Sequence, residues 1–337
     1  MSSPTSRRWP VVILSIQAGF VAAMGLLFSG IIGPWSLPLG IAAPLLGFGA
    51  FVTSLWGWRQ TKENIYILIA ALWIFFPAAD LRIHSLSAKG TPIMTWNIAK
   101  PSEDRFRCAL DALTEWTQAH PKGLLFLQEI TRAQNNIVEQ KLGLTCIWKP
   151  YLSSCNANYC NGLQICAPSE WTFSRTGHRD FKQQGTYGFL QSELNHTPTG
   201  HTINALNIHL ESLYSTNRKL PEDSSSVTVL HHNAQAQTEQ VEQMRRIFSL
   251  LKDPILLIGD FNSPSSMWHH RALRRQLKDA HRSTGLGWGW TRFKGYLPLR
   301  IDYMYSSEPL QWTAPTRVNY DIACSDHYPI ESAFHWE

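Results

Sequence analysis

At 337 residues the chain has room for one sizeable catalytic core with something smaller beside it. The formal charge of +5 is unevenly spread: residues 1–84 hold five basic and two acidic side chains, leaving 25 basic and 23 acidic for residues 85–337. The downstream part is almost neutral, which excludes the broad Lys/Arg surface of a dedicated duplex-binding protein; its clearest basic cluster, Arg271 to Arg282, reads as a solvated helix face.

In chain order, residues 11–33 are apolar with only Ser and Gln as polar interruptions, residues 37–58 carry no charge, and residues 65–79 form a shorter third run. About twenty apolar residues cross the hydrocarbon layer at ~1.5 Å each, so these runs predict three transmembrane spans. A cleaved signal peptide fits less well, because the first run is too long and leads directly into the second. Arg7 and Arg8 before the first span, and Arg59 and Lys62 between the second and third, put those ends on the cytoplasmic side. Three spans then place everything after Ala79 outside the cytoplasm. The stretch from Cys146 to Cys166 bears on the same point. A hairpin centred on Asn156-Ala157-Asn158 pairs Cys155 with Cys160 and Cys146 with Cys166, which fits an oxidising compartment, while four free thiols remain the alternative.

Residues 77–90 read as a linker. Beyond it, strands are expected at 92–98, 124–127, 146–153, 163–167, 189–194, 201–209 and 254–258, with helices at 101–120, 131–142, 228–251 and 266–277. Two last strands lead to Asp302 and Asp326. This interspersion indicates an α/β domain with polar residues at strand ends, where catalytic groups usually sit. Those residues are Asn97, Glu129, His209, Asp260, Asn262, Asp302, Asp326 and His327. Glu129, Asp326 and the Asn97 amide are hard oxygen donors suited to Mg²⁺ or Mn²⁺, and Asp302 is placed to orient the His327 imidazole.

The pieces TWNI, LQE, LNIHLE, GDFNSP, LPLRIDYMYSS and SDHYPI, from Thr95 to Ile330, resemble the endonuclease/exonuclease/phosphatase, or deoxyribonuclease-like, family. The hydrophobic N-terminus is similar to that of its bacterial membrane-anchored members. The resemblance implies a four-layer sandwich of two packed mixed β-sheets flanked by helices over residues 85–337, behind a transmembrane segment over 1–84. It implies a metal-dependent phosphoric ester hydrolase in a bacterial inner membrane, with the catalytic domain on the periplasmic side. Glu129 then binds the metal with Asn97 and Asp326, while Asp260 and Asn262 orient water and hold the phosphate. His209 contacts phosphoryl oxygens or protonates the leaving group. His327, backed by Asp302, ranks ahead of Asp260 as general base.

The substrate is less legible. Inositol-polyphosphate phosphatases of the family carry Trp before GDxN and Arg soon after, where this chain has Leu257-Ile258 and Ser263-Pro264. No basic, DNA-penetrating loop stands out. A lipid head group, a nucleic acid or a small phosphodiester remains, with the bilayer itself as a partner and no protein partner inferable. The aromatic loop from Gly285 to Leu297 suits base stacking, an interface, or packing on the domain. An extracytoplasmic nuclease and a catalytically inactive membrane scaffold are the alternatives.

Overall fold

In the computed structural model the described residues are 8–29, 37–62, 64–74, 82–83, 90–99, 102–151, 160–181, 188–213, 225–294 and 297–337. They divide into two compact units, one of residues 1–82 with 264–272, the other of residues 83–263 with 273–337. The segment 264–272 directly follows the Gly259-Asp260-Phe261-Asn262-Ser263 turn, yet it belongs with the helices.

The first unit holds α1 (Arg8–Ser29), α2 (Leu37–Thr61) and α3 (Ile65–Ile74). Ile13, Ala50, Tyr66 and Ala70 are buried here together with the polar Gln17 and Ser54. Gln17 Nε2 donates to Ala50 O at 3.0 Å and to Thr53 Oγ1 at 2.7 Å, and the Ser54 hydroxyl donates to Ala50 O. On α2, a Cβ at Gly57 would meet the Tyr66 ring at 3.0 Å, so glycine lets α3 close in. Val12, Leu14, Ile16, Val21, Phe48, Val52 and Leu68 are exposed. The third expected span is a helix of only ten residues, about 15 Å long, and residues 75–79 lie outside the described set. Among the described residues no helix is long and apolar enough to cross a membrane.

The second unit runs β1 (Arg82–Ile83), β2 (Thr91–Asn97), α4 (Glu103–Ala119), β3 (Leu124–Thr131), α5 (Arg132–Leu142), β4 (Thr145–Pro150), β5 (Asn161–Ala167), β6 (Trp171–Asp180), β7 (Gly188–His196) and β8 (His201–His209). Then come α6 (Ser226–Phe248), β9 (Ile255–Asp260), the short α7 (Trp268–Leu273), which is grouped with the first unit up to Ala272, then β10 (Lys278–Asp279), α8 (Ala280–Thr284), β11 (Leu286–Gly287) and β12 (Arg292–Lys294). The chain finishes with β13 (Leu297–Leu299), β14 (Asp302–Ser306), β15 (Leu310–Trp312), β16 (Arg317–Val318) and β17 (Ile330–Trp336). β6 has no counterpart among the expected strands. The helix expected over 266–277 is cut to α7, because Lys278 and Asp279 are drawn into pairing with Ser306 and Tyr305.

One sheet has the order β15-β17-β2-β3-β5-β4 and the other β10-β14-β9-β8-β7-β6. Each is mixed, with one parallel pair near its middle, β2 with β3 and β8 with β9. Ile93, Phe126, Ile165, Ala205, Leu256 and Met304 pack between the sheets. The outer face of the first sheet buries Trp96 and Leu127 against Phe106 and Leu113 of α4 and Val138 of α5. The outer face of the second buries Ile208 and Tyr305 against Val241 and Met244 of α6. Four layers result, helix, sheet, sheet, helix, as the family resemblance implied. Each fully buried Leu, Ile or Phe contributes about 1.5–3 kcal/mol.

The cysteines are partly as expected. Cys146 and Cys166 face each other across β4 and β5 and form a disulfide. Cys160 is disulfide-bonded as well, whereas Cys155, its expected partner, lies outside the described residues. Cys108 of α4 and Cys324 also form a disulfide.

Candidate active site

The site lies at one end of the sandwich, and the sheet registers explain why. β2 and β3 run parallel with Asn97 opposite Gln128, so both strands end together. β8 and β9 do the same with His209 opposite Asp260. The sequence suggested that two further strands lead to Asp302 and Asp326, but here the direction is reversed. β14 starts at Asp302 and β17 starts just after His327. Both run antiparallel to their neighbours, so their beginnings lie beside the ends of β9 and β2, with Asp302 opposite Asp260 and Ile330 opposite Thr95.

Local geometry turns the side chains inward. The register of β3 shifts between Gln128 and Ile130, and Glu129 sits in the bulge at φ 57°. A non-glycine residue held there costs about 1–3 kcal/mol and persists only where its surroundings enforce it. The backbone N–H of Glu129 donates to Tyr151 Oη at 2.7 Å, and a capping box between Thr131 and Gln134 starts α5 two residues later. Gly259 has φ 139°, and a Cβ there would lie 2.1 Å from Ile208 O; only glycine lets β9 approach β8 closely enough to present Asp260.

Six of the eight expected residues are linked around Asp260, while Asn262 and Asp326 stand apart. Asn97 Nδ2 donates to Glu129 Oε1 at 3.1 Å and to Asp260 Oδ2 at 2.9 Å, tying the two sheets together, while its Oδ1 accepts from the Ala99 N–H. Asp260 Oδ1 accepts from the Asn262 N–H at 2.7 Å. His327 Nδ1 donates to Asp302 Oδ2 at 2.9 Å, which leaves Nε2 3.8 Å from Asp260 Oδ2. His209 Nε2 lies 3.4 Å from Asp260 Oδ2 and 3.9 Å from Glu129 Oε1. Asn262 stands slightly apart: its amide donates to Leu210 O at 3.0 Å, so it braces the turn after β9. Asp326 lies at the rim and accepts from Arg292 at 2.7 Å.

The charges are set by burial and by one another. Burial raises the Glu129 carboxyl. Burial, then Asp302, pushes Asp260 up to about 7. Burial works against the charged His327 ring, but Asp302 and Asp260 outweigh it and carry the group to about 9. Burial, helped by His327, holds His209 well below the ordinary histidine range. Tyr151 Oη spends a lone pair on Glu129 N–H and contacts His209 Nδ1 at 2.7 Å. Its proton is therefore assigned to Nδ1, and the neutral His209 ring points Nε2–H at the two carboxylates. At neutral pH the ring that carries the proton is His327, and Asp260, at about 7, is close to its own titration.

Sequence reasoning missed Tyr151, Arg292, Thr291 and Gln237. The Thr291 hydroxyl accepts from the Ile301 and Asp302 N–H groups, fixing the start of β14. Gln237 of α6 donates from beneath to Glu211, Phe261 and Asn262 carbonyls, holding the turn after Asp260. None of these four lies in a piece that signals its position in advance.

The endonuclease/exonuclease/phosphatase family pattern matches residues 94–327, more than half of the chain. The chain belongs to that family. Its members are phosphoester hydrolases, nucleases and phosphatases among them, and they generally use divalent metal ions. No curated protein matches the sequence. Among solved structures, the family member from Bacteroides vulgatus is similar at 12% identity and TM-score 0.60, covering 74% of this chain and 100% of its own. D. rerio TDP2 in complex with a single-strand DNA product is similar at 14% identity and TM-score 0.56, covering 73% and 99%. The mannosyl-6-phosphatase of Bacteroides thetaiotaomicron is similar at 13% identity and TM-score 0.55, covering 73% and 100%. At these identities the likeness is one of fold.

The donor set of this family member fits a hard divalent cation. Asp260, Asp302 and His327 gather their ligand atoms within 4.8 Å, but the His327–Asp302 hydrogen bonds already account for that closeness. Glu129 is different. Its carboxylate, half-buried, accepts from the Asn97 amide, and loss of solvent raises its pKa. With Asp326 at the rim and the Asn97 amide between, these are the oxygen donors that Mg²⁺ or Mn²⁺ prefers.

Proposed function

We propose that this chain is a divalent-metal-dependent phosphodiesterase, anchored in a membrane with its site on the non-cytoplasmic side. The observation that carries the chemistry is the meeting of Asp260 with two histidines of opposite character, one neutral and one protonated, bridged by Asn97 to Glu129.

Glu129, Asp326 and Asn97 would hold the ion, which when bound supplies Lewis-acid compensation for charge developing on the phosphoryl group. The remaining steps belong to the protein. Asp260, fixed by Asn97 and by the Asn262 N–H, orients a water and takes its proton. Water attacks phosphorus in line, the P–O bond to the leaving group breaks, and that oxygen takes the proton of the His327 imidazolium, which the proton gained by Asp260 later restores. The His327 imidazolium, held by Asp302, faces the developing oxyanion, and the His209 Nε2–H serves the phosphoryl or leaving oxygen. Hydrolysis of bis-p-nitrophenyl phosphate by the full chain in detergent, with Mg²⁺ or Mn²⁺, tests this. Folded protein that shows no turnover with either ion at any pH removes the enzyme and leaves the inactive scaffold.

The anchor is supported by the apolar side chains that α1 and α2 turn outward and by the charge-free runs of the sequence that hold them. The side of the membrane is supported by the basic residues flanking the spans and by the disulfides, which persist in oxidising compartments. A protease-protection assay on sealed inner-membrane vesicles tests both.

One observation favours a second substrate class. Trp288 and Trp290 stack on each other, centroids 5.0 Å apart at 16°, two residues from Arg292. Such a platform suits nucleobases, worth about 1–3 kcal/mol each, and the D. rerio neighbour holds a DNA product. Plasmid DNA set against phospholipid vesicles as substrates separates a nuclease from a lipid-directed enzyme.

A further inference from the structure

Arg292 opens β12 and forms an isolated backbone bridge to His327, while its guanidinium donates to Asp326 Oδ2 at 2.7 Å. It is close enough to bear on the charges of Glu129, His209, Asp326 and His327 alike. Its Nε is buried and has no hydrogen-bond partner among the described residues. Leaving a buried charged donor unmade costs about 1–3 kcal/mol or more, a cost usually explained by a ligand, water or ion that completes the bond.

The electrostatic setting points the same way. Glu129, Asp260, Asp302 and Asp326 converge on one pocket, and a phosphoryl group brings further negative charge. The protonated ring available, His327, already spends its Nδ1–H on Asp302. A guanidinium has five donors in a rigid fork whose geometry matches phosphoryl oxygens, and Asp326 occupies only part of it.

We propose that Arg292 is a substrate-binding residue: steered over the site by Asp326, its guanidinium takes a non-bridging oxygen of the phosphoryl group being hydrolysed. This rests on the phosphoesterase function proposed above. The competing role is a plain counter-ion that quiets Asp326 and never meets substrate.

Calorimetric titration of inorganic phosphate into the Mg²⁺-loaded full chain decides between them without needing turnover. Arg292→Ala is expected to weaken phosphate binding by about 10- to 100-fold and to raise KM for bis-p-nitrophenyl phosphate similarly. Mg²⁺ affinity should change by less than about threefold, and Arg292→Lys should recover part of the phosphate affinity, since it keeps the charge and loses the fork. Should Arg292→Ala not fold, Arg292→Gln, of similar length, carries the same measurement. Unchanged phosphate binding alongside tighter Mg²⁺ binding makes Arg292 a counter-ion and overturns the proposal, as does an unmodified protein that binds no phosphate. If phosphate binding depends on Arg292 but no phosphoester is hydrolysed, the phosphoesterase function fails and the Arg292 site stands. If hydrolysis is normal and Arg292→Ala binds phosphate equally well, the reverse holds.

Discussion

In the sandwich, apolar side chains fill most of the space between layers, and Asn97, His209, Asp260, Asp302 and His327 are buried together at one end. In the helical unit apolar and polar residues are buried together, Ile13 and Tyr66 beside Gln17 and Ser54, and many apolar ones are exposed. Val12, Leu14, Ile16 and Val21 of α1 face outward, whereas Gln17 and Ser54 are buried and bonded to the same backbone oxygen, Ala50 O. A buried polar residue thus has two meanings in one chain. At Asp260 or His327 its burial shifts a pKa and prepares a reaction. At Gln17 it joins α1 to α2 through hydrogen bonds to Ala50 O and Thr53 Oγ1.

The contrast can be broken most forcefully at the site. Asp260→Asn and His327→Ala are each expected to lower kcat by about 1,000-fold, roughly 4 kcal/mol of transition-state stabilisation. Thermal unfolding of the same variants should move by only a few degrees. A large loss of Tm with activity intact would mean that these groups are structural, as Gln17 is.

Next in size is the outward face. Leu14→Asp puts a charge on α1 and should cost about 2.5–3.5 kcal/mol of membrane insertion, read as the inserted fraction in a translocation assay. Ile137→Asp, at an equally exposed apolar position on α5, should change stability by less than about 0.5 kcal/mol. Equal effects at the two sites would erase the distinction between the units.

The pH profile is more discriminating. Asp260 at about 7 makes activity rise with pH as it ionises, and His327 at about 9 makes activity fall as the ring loses its proton. The folded-state value of His327 lies above the ordinary 6.5, so its contribution to stability is complete below 6.5 and is lost as pH rises through about 9. Asp302→Asn removes the largest influence holding the ring protonated, and the alkaline limb should move to lower pH. An unmoved limb assigns that ionisation to another group.

The smallest effect belongs to Gln17→Leu. It should leave kcat unchanged and cost about 0.6 kcal/mol of stability in detergent or bilayer, the usual size of an interhelical hydrogen bond in a membrane. Measured activity loss there would show that the helices do more than anchor.

Legible in the sequence are the groups whose position follows from local pattern. Asn97, Glu129, His209 and Asp260 end apolar strand runs, and Asp302 and His327 stand in short motifs, so all six could be named before the fold. The directions of β14 and β17 could not, because pairing sense is a long-range property and a strand that begins at the site looks locally like one that ends there. Tyr151 and Gln237 reach the site from a turn and from the long α6, and no neighbouring residue marks them. Arg292 sits in an aromatic loop that suggested stacking, so its charge passed as incidental. Charge assignment was beyond reach for another reason: two histidines with nearby carboxylates differ here only through burial and neighbours, which local sequence does not carry.

The link between Cys108 and Cys324 has a consequence for how the molecule comes apart. Cys324 directly precedes Ser325, whose hydroxyl donates to Asn97 O and accepts from the His327 N–H, so the bond fastens the catalytic loop to α4. It also spans 216 positions of the chain. A protease that clips any loop between those two cysteines produces no loose fragment: the pieces before and after the cut remain one covalent body, with Asp326 and His327 still fastened to the helix beside Asn97. Only a reductant added after the cut lets them part.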